Sequence, residues 1–280
     1  MNAENVEKKV GSGFYLNHTL LTTISLLMAL PFLWMLLTSL KPLSEVGGSH
    51  WWPKDFKLEN YKEVFSIENL RYGRWYFNSL FVSFCVTFLQ VLTSALAAFA
   101  FSRLEWKWRD RLFLLYLGTM MVPGLILMIP NFQIMIKLGL MDTYLGLIIP
   151  AAFSAFGTFL LRQFMMGIPK SLDEAAEIDG ASTWQVFWQV ILPLSRPGLI
   201  TLTIFTFMGN YNSFFWPIVM LKSADKYTLP VGLLFFESSQ GQQTNLLMAA
   251  ITMAVIPMVI LFVLMQKHLV KGIQLGGVKG

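Results

Sequence analysis

Charge is scarce in this 280-residue sequence: Asp, Glu, Lys and Arg make up 13% of it, while hydrophobic residues make up 55%. Soluble domains carry about 25% charged and about 45–50% apolar residues. A soluble fold cannot hide such an excess and still cover its surface with polar groups, so a mean hydropathy of +0.57 points to lipid as the solvent. Cysteine is nearly absent. Cys85 alone excludes an intrachain disulfide framework and a thiolate metal site. His18, His50 and His268 show no ligand spacing, and the apolar stretches hold no converging acids, His or Cys, which argues against a membrane-embedded enzyme. Basic runs with interleaved aromatics are also missing. The net charge of +5 therefore suggests no nucleic-acid partner, because Lys and Arg mostly flank apolar runs, where they anchor helix ends at the headgroups. Gly272 and Gly277 have the spacing of a phosphate loop, but Val278 stands where Lys is required.

The sequence does contain long apolar runs. A span needs about 20 mostly apolar residues, and six stretches qualify: 17–40, 77–101, 112–134, 144–165, 198–220 and 244–266. Lipid leaves backbone groups unsatisfied, so helices are expected. The first run is long enough to span, and no A-x-A site follows it, so no cleavable signal is expected. Pro123 and Pro130 should disturb the third span, Pro150 and Gly157 the fourth, and Pro257 the sixth. Ser94, Ala98 and Ser102, like Ala250 and Ala254, are small residues four apart, suited to close helix contacts. The basic loop Arg103, Lys107, Arg109, Arg111 favours both termini inside, by a thin margin.

The segment 166–197 is the most structured of the connections. Ser171 and Glu174 have capping-box spacing, so a helix should start near Leu172; Gly180 suits its left-handed end. Ser182 and Gln185 repeat the box, and Pro193 should stop the second helix. Trp184, Phe187, Trp188 and Ile191 form one apolar face, while Asp173, Glu174, Glu177 and Asp179 make the first helix acidic. A simple connector needs no such pair of short helices, with one face seated on a bundle and a charged end free.

Glu174-Ala175-Ala176, Asp179-Gly180-Ala181, Phe187, Leu192-Pro193-Leu194 and Pro197 together resemble the EAA loop of ABC-importer permeases, with correct spacing over about thirty residues. Asn78-Ser79-Leu80, Ala97 to Arg103, Asp142 to Leu147 and Gly276 to Gly280 are similar to the smaller six-span permease of the maltose-transporter type; Tyr211 departs from it, where Trp is usual. The resemblance implies an all-α polytopic membrane protein with the type I ABC-importer permease fold, a single permease domain over 1–280. It implies a cytoplasmic coupling loop at 166–197 that seats on an ATPase through Glu174, Ala175, Ala176, Asp179, Gly180, Ala181, Phe187 and Pro193. It also implies both termini in the cytoplasm of a prokaryote and a tail near the ATPase interface. The expected partners are a second homologous permease, two ATPase subunits holding ATP and Mg, an extracytoplasmic solute-binding protein and the surrounding lipid. This chain carries no cofactor of its own.

The expected activity is alternating-access import of a sugar or oligosaccharide. Asn210, Tyr211 and Asn212 fall in the fifth span, and with Gln90 and Asn131 they either line the solute path or bond between helices. Glu237, Ser238, Ser239, Gln240, Gly241, Gln242 and Gln243 form either an exposed turn or, as the resemblance implies, a loop reaching into the binding protein. Rival readings are the same importer for glycerol phosphate or a polyamine, and a stand-alone carrier or channel. The first would favour charge in the pathway, and the spans have almost none at mid-depth.

Overall fold

The computed structural model describes residues 12–67, 70–240 and 243–277. Among them the regular structure is helical, with no strand. The chain divides into two compact units, Met1–Glu68 with Ser239–Met253, and Asn69–Ser238 with Ala254–Gly280.

In the first unit α1 (Ser12–Ser39) is exposed along most of its apolar length, the state of a helix whose surroundings are lipid or another chain. α2 (Glu59–Ser66) follows. Its buried Asn60 donates from Nδ2 to the carbonyls of Ser39 (2.8 Å) and Lys41 (2.9 Å), capping the end of α1 with a side chain where no further helix bond is available.

The second unit is built around α3 (Tyr72–Arg103), a 32-residue helix without proline that starts five residues ahead of the expected boundary. α4 (Arg109–Gly118) and α5 (Gly124–Lys137) cover the third apolar stretch as a pair broken by 98° just before Pro123 rather than merely kinked; Pro130 stays inside α5. Proline restricts the residue before it to extended backbone, and Val122 takes ψ 117°. α6 (Leu145–Ala151) and α7 (Ala155–Met166) form a second bent pair, at 44°. Its break lies at 152–154, after Pro150, and Gly157 sits within α7 instead of interrupting it. Gly157 has a different use: a Cβ there would meet Ser94 Oγ at 2.5 Å and Leu202 at 3.2 Å. α3 and α7 thus pack at the small-residue stripe, where Ser94, Ala98 and Ser102 are buried.

Next come α8 (Ser171–Ile178), α9 (Thr183–Gln185), a π turn (Val186–Ile191), α10 (Leu192–Leu194) and α11 (Arg196–Tyr211). α12 (Phe215–Met220), α13 (Leu229–Gln240) and α14 (Thr244–Gly277) complete the order. Over the fifth expected stretch α11 ends at Tyr211, and α12 follows beyond a break. The sixth runs unbroken through Pro257. Among the described residues three helices are long and apolar enough to cross a membrane, or up to six spans if each bent pair is one.

Candidate functional site

The loop 166–197 folds as two short helices, though not with every cap the sequence suggests. Ser171 is the first residue of α8 rather than its cap, and the Ser171–Glu174 box does not form: Lys170 occupies the cap and makes no side-chain capping bond. Asp173 and Glu174 instead sit in the first turn, where the helix dipole favours acids. Gly180 has φ +85°, the Ala181 N–H donates to the Ala176 carbonyl (2.9 Å) and the Gly180 N–H to that of Glu177 (3.0 Å). That is a Schellman closure, and it needs a residue without a Cβ penalty at the left-handed position. The second box does form, with Ser182 and Gln185 bonding reciprocally.

Pro193 does not stop the second helix. The rod continues to Leu194 and bends by 76° into α11 at Ser195. The π turn makes room, since the Leu192 N–H reaches back five residues to Phe187 O. The wider turn also narrows the inward face. Val186, Phe187 and Ile191 are buried, whereas Trp184 (59% exposed) and Trp188 (41%) swing outward and rest on Phe187 at 5.6 and 5.1 Å between ring centroids. Phe187 packs on Phe99 of α3 (5.1 Å), within a core that includes Ala95, Ala98, Leu161, Met165 and Leu202.

The acidic face is likewise divided. Glu174, Glu177 and Asp179 are exposed with Ala175, Ile178 and Gly180, while Ala176 and Ala181 pack against the core. Asp173 turns inward, and its Oδ2 lies 3.2 Å from the Arg103 guanidinium. Burial pushes the Asp173 carboxyl upward, opposed by the charge of Arg103.

At the other end of α3 a cavity of about 230 Å³ opens among Ser79, Val82 and Ser83 of α3, Asn131 of α5, Pro150 and Ala151 of α6, Asn210 of α11, Ser213, Trp216 of α12, and Thr228. The break residue Ser213 and the bend-side Pro150 both belong to it. Irregular backbone at membrane depth is tolerated where it lines such a space. The lining holds hydroxyls, amides and an indole, and no ionisable group. Asn210 donates to Thr206 O (2.8 Å) and Trp216 Nε1 to Gly146 O (3.0 Å), whereas the buried hydroxyls of Ser83 and Thr228 have no partner. Of the expected lining residues, Asn131 and Asn210 face this cavity. Asn212 lies beside it in a shallower concavity with Asn131 and Phe214. Tyr211 is buried and donates to Ala254 O (2.9 Å), and Gln90 Nε2 donates to Thr206 Oγ1 (3.2 Å), so these two bond between helices. Ser79, Ser83 and Thr228 were missed. The signal was a hydroxyl every four residues, Ser79, Ser83, Thr87, along an otherwise apolar helix.

The segment 222–228 is pinned beside this cavity. Asn78 Nδ2 donates to Asp225 O and Tyr227 O, both at 2.9 Å, and its Oδ1 accepts from Tyr144 OH at 2.8 Å. Asp142, at φ 56°, accepts from the Lys222 and Ser223 N–H groups, Ser223 Oγ and Lys226 Nζ. Desolvation pushes the Asp142 carboxyl up, but these bonds outweigh it and hold it far below the usual carboxylate range.

The predicted turn at 237–243 is partly helix: Glu237 is exposed on α13, and Ser238, Ser239 and Gln240 complete its last turn. An apolar run preceding them lets the helix propagate into polar sequence. Gly241 and Gln242 lie outside the described residues, as do Val278, Lys279 and Gly280 of the tail. Gln243 lines a shallow concavity with Lys57, Glu59, Glu63 and Asn245. Among the described residues no group of His, Cys, Asp or Glu could hold a metal ion.

Residues 90–275 match the family model described as "Binding-protein-dependent transport system inner membrane component". The chain is 36% identical over 261 residues to the arabinooligosaccharides transport system permease protein AraQ of Halalkalibacterium halodurans, covering 92% of this chain and 93% of that one. It is 34% identical over 238 residues to the sn-glycerol-3-phosphate transport system permease protein UgpE of Yersinia enterocolitica, covering 83% of each. Among solved structures, a chain of a bacterial ABC transporter involved in the import of the acidic polysaccharide alginate superposes with a TM-score of 0.81 at 26% identity, covering 94% of this chain and 99% of that one.

Proposed function

Because the chain belongs to the family of binding-protein-dependent transport system inner membrane components, we propose that it imports a neutral sugar or oligosaccharide, with ATP and Mg held by ATPase subunits that dock on the loop 166–197. The permease itself performs no covalent chemistry. One permease domain over 1–280 pairs with a second, homologous permease, and a solute-binding protein delivers the sugar on the extracytoplasmic side. Both termini, and the exposed residues Glu174, Ile178 and Trp184, face the cytoplasm.

The observation that carries the docking is the division of the loop into two faces. Phe187, Ile191, Ala176 and Ala181 seat on the bundle, while Glu174, Ala175, Ile178, Asp179 and Gly180 stand clear. An isoleucine left 86% exposed on a helix of this kind fits a protein groove better than water. Glu174 then pairs with a basic residue of the ATPase. Pro193 serves inside the rod, where it helps fix the bend into α11.

The choice of a neutral sugar rests on the cavity. Its lining offers Ser, Thr, Asn and Trp, the groups that bond hydroxyls and stack on sugar rings, and no cation. A phosphate or uronate deep in the bilayer would require a paired charge, which weighs against a glycerol phosphate or acidic-polymer cargo despite those relatives. Asn131 and Asn210 line the path directly, Asn212 at its margin, and Gln90 and Tyr211 hold the surrounding helices. The stretch Glu237 to Gln243 meets the solute-binding protein. Closure of the ATPases moves the loop and rocks the bundle, so that the cavity opens to one side at a time.

The test is affinity purification of the tagged chain in mild detergent, with mass spectrometry of what accompanies it, for the native chain and for Glu174→Ala with Gly180→Val. The expected result is a second permease and an ATPase with the native chain, and loss of the ATPase alone from the variant. Purification of the native chain alone, under conditions that keep other membrane complexes whole, would overturn the reading in favour of a stand-alone carrier or channel.

A further inference from the structure

A buried ion pair joins the paired-helix loop to the helix that lines the cavity. Arg103 is the last residue of α3 and its side chain is 5% exposed; Asp173, in the first turn of α8, is 16% exposed. The guanidinium donates to the carbonyls of Met165 (2.7 Å) and Ile168 (2.9 Å), at and just beyond the end of α7, and its Nη1 lies 3.2 Å from Asp173 Oδ2. A planar fork of five donors can hold three acceptors in this way, two at the end of α7 and one on α8, where a lysine could not keep the same geometry. The neighbouring pair Lys170–Glu105 shows the contrast: at 63% and 79% exposure it is screened by water and holds little.

α3 is also the element best suited to carry movement over a distance. Of the three single helices long enough to cross a membrane, α1 contains Pro31 and α14 contains Pro257, while α3 contains no proline. Its hydrogen-bond ladder meets no proline between Arg103, beside the loop, and Ser83, in the cavity. Twenty residues separate them, about 30 Å at the helical rise. The π turn adds a second seat on the same third of α3, through Phe187 against Phe99.

We propose that Arg103 and Asp173 are positioning residues that carry displacement of α8 into α3, so that docking and closure of the ATPase reach the cavity through one continuous helix. This rests on the reading of the loop as the ATPase-docking surface. In this arrangement Glu174 and Asp173 are adjacent in sequence but have opposite duties. Glu174 meets the partner; Asp173 passes the resulting motion inward. A brace that served folding alone would give the same contacts, but its loss would not separate ATP hydrolysis from movement at the cavity.

The experiment uses the complete importer, with its second permease and ATPase, in proteoliposomes. Cys85 is replaced by Ala, and Ser83→Cys provides one reporter whose reaction with a small methanethiosulfonate reagent is timed with and without Mg·ATP. With Asp173 native, ATP is expected to change the labelling rate by about fivefold or more, a coupling of ordinary size. Asp173→Asn keeps the shape and leaves Arg103 on its two carbonyls. It should retain the ATPase and its hydrolysis while the ATP effect on labelling falls below about twofold, and Asp173→Glu should restore the effect. An undiminished response in Asp173→Asn would overturn the proposal. So would loss of the ATPase from both Asp173 variants, which would make the pair a support for the docking surface only. Absence of an ATPase from the native complex would instead overturn the docking reading, and the proposal with it.

Discussion

At Gly180 the backbone decides what the sequence can be. The position is left-handed at φ +85°, and a Cβ would meet nothing within 4 Å, so conformation and not space is the constraint. A β-branched residue there costs about 1–2 kcal/mol or more in strain, whereas Asn visits this region with little cost. Gly180→Val is therefore expected to weaken ATPase recovery with the membrane-inserted chain, and Gly180→Asn to preserve it; equal loss in both would point to size instead. Thr228 poses the opposite problem, a buried hydroxyl with no partner. Thr228→Val removes that unsatisfied group and should leave assembly and melting temperature unchanged or slightly raised. Uptake of a neutral oligosaccharide should fall by about two- to tenfold, the worth of one hydrogen bond to cargo. Asp142 titrates far below its ordinary range because it holds the 222–226 segment as an acceptor. A lowered folded-state pKa means stability that is complete above the unfolded value of about 3.9 and is lost as pH falls through the folded one. The melting temperature of the solubilised complex should thus drop more steeply below about pH 4 for the native chain than for Asp142→Asn. Parallel curves would show that Asp142 contributes no linkage.

The elements were legible where periodicity and local chemistry act alone, and less so where packing overrides them. The small stripe Ser94, Ala98, Ser102 correctly marks a contact face, because in lipid close approach is the main source of helix association. The end of α8 at Gly180 and the box at Ser182 were likewise readable, since each is closed by bonds among neighbours in sequence. The box at Ser171 was a false reading: the chain enters α8 already in a helical turn from Lys170, which leaves Ser171 no cap to make. The fate of Trp184 and Trp188 could not be read either. A π turn changes the number of residues per turn, and nothing in the residue types announces it. The 98° break before Pro123 shows the same limit, as proline marks the place but not the angle. One substitution tests the packing of these elements directly. Gly157→Leu places a side chain against Ser94 and Leu202, and overpacking of this kind costs about 1–3 kcal/mol. Size-exclusion chromatography of the solubilised variant should show reduced folded yield, while Gly118→Leu, in open space, should behave as native.

For the molecule as a whole, composition and the paired-helix loop led to the family, and the family match over residues 90–275 agrees with both. The cavity was only half visible beforehand. Asn131 and Asn210 stand out as amides in apolar runs, but Ser79, Ser83 and Thr228 meet only once α3 and the 222–228 segment are brought together by Asn78 and Asp142. Two ends of one long helix emerge as the organising feature, the loop at Arg103 and the cavity at Ser83. The measurement that bears most directly on this account places a photo-crosslinking benzoylphenylalanine at Ile178, the most exposed apolar residue of α8, in cells expressing the native importer. A light-dependent adduct between this chain and an ATPase subunit, formed on the cytoplasmic side, is expected. An adduct with an extracytoplasmic protein, or none with an ATPase while the complex remains assembled, would contradict this account.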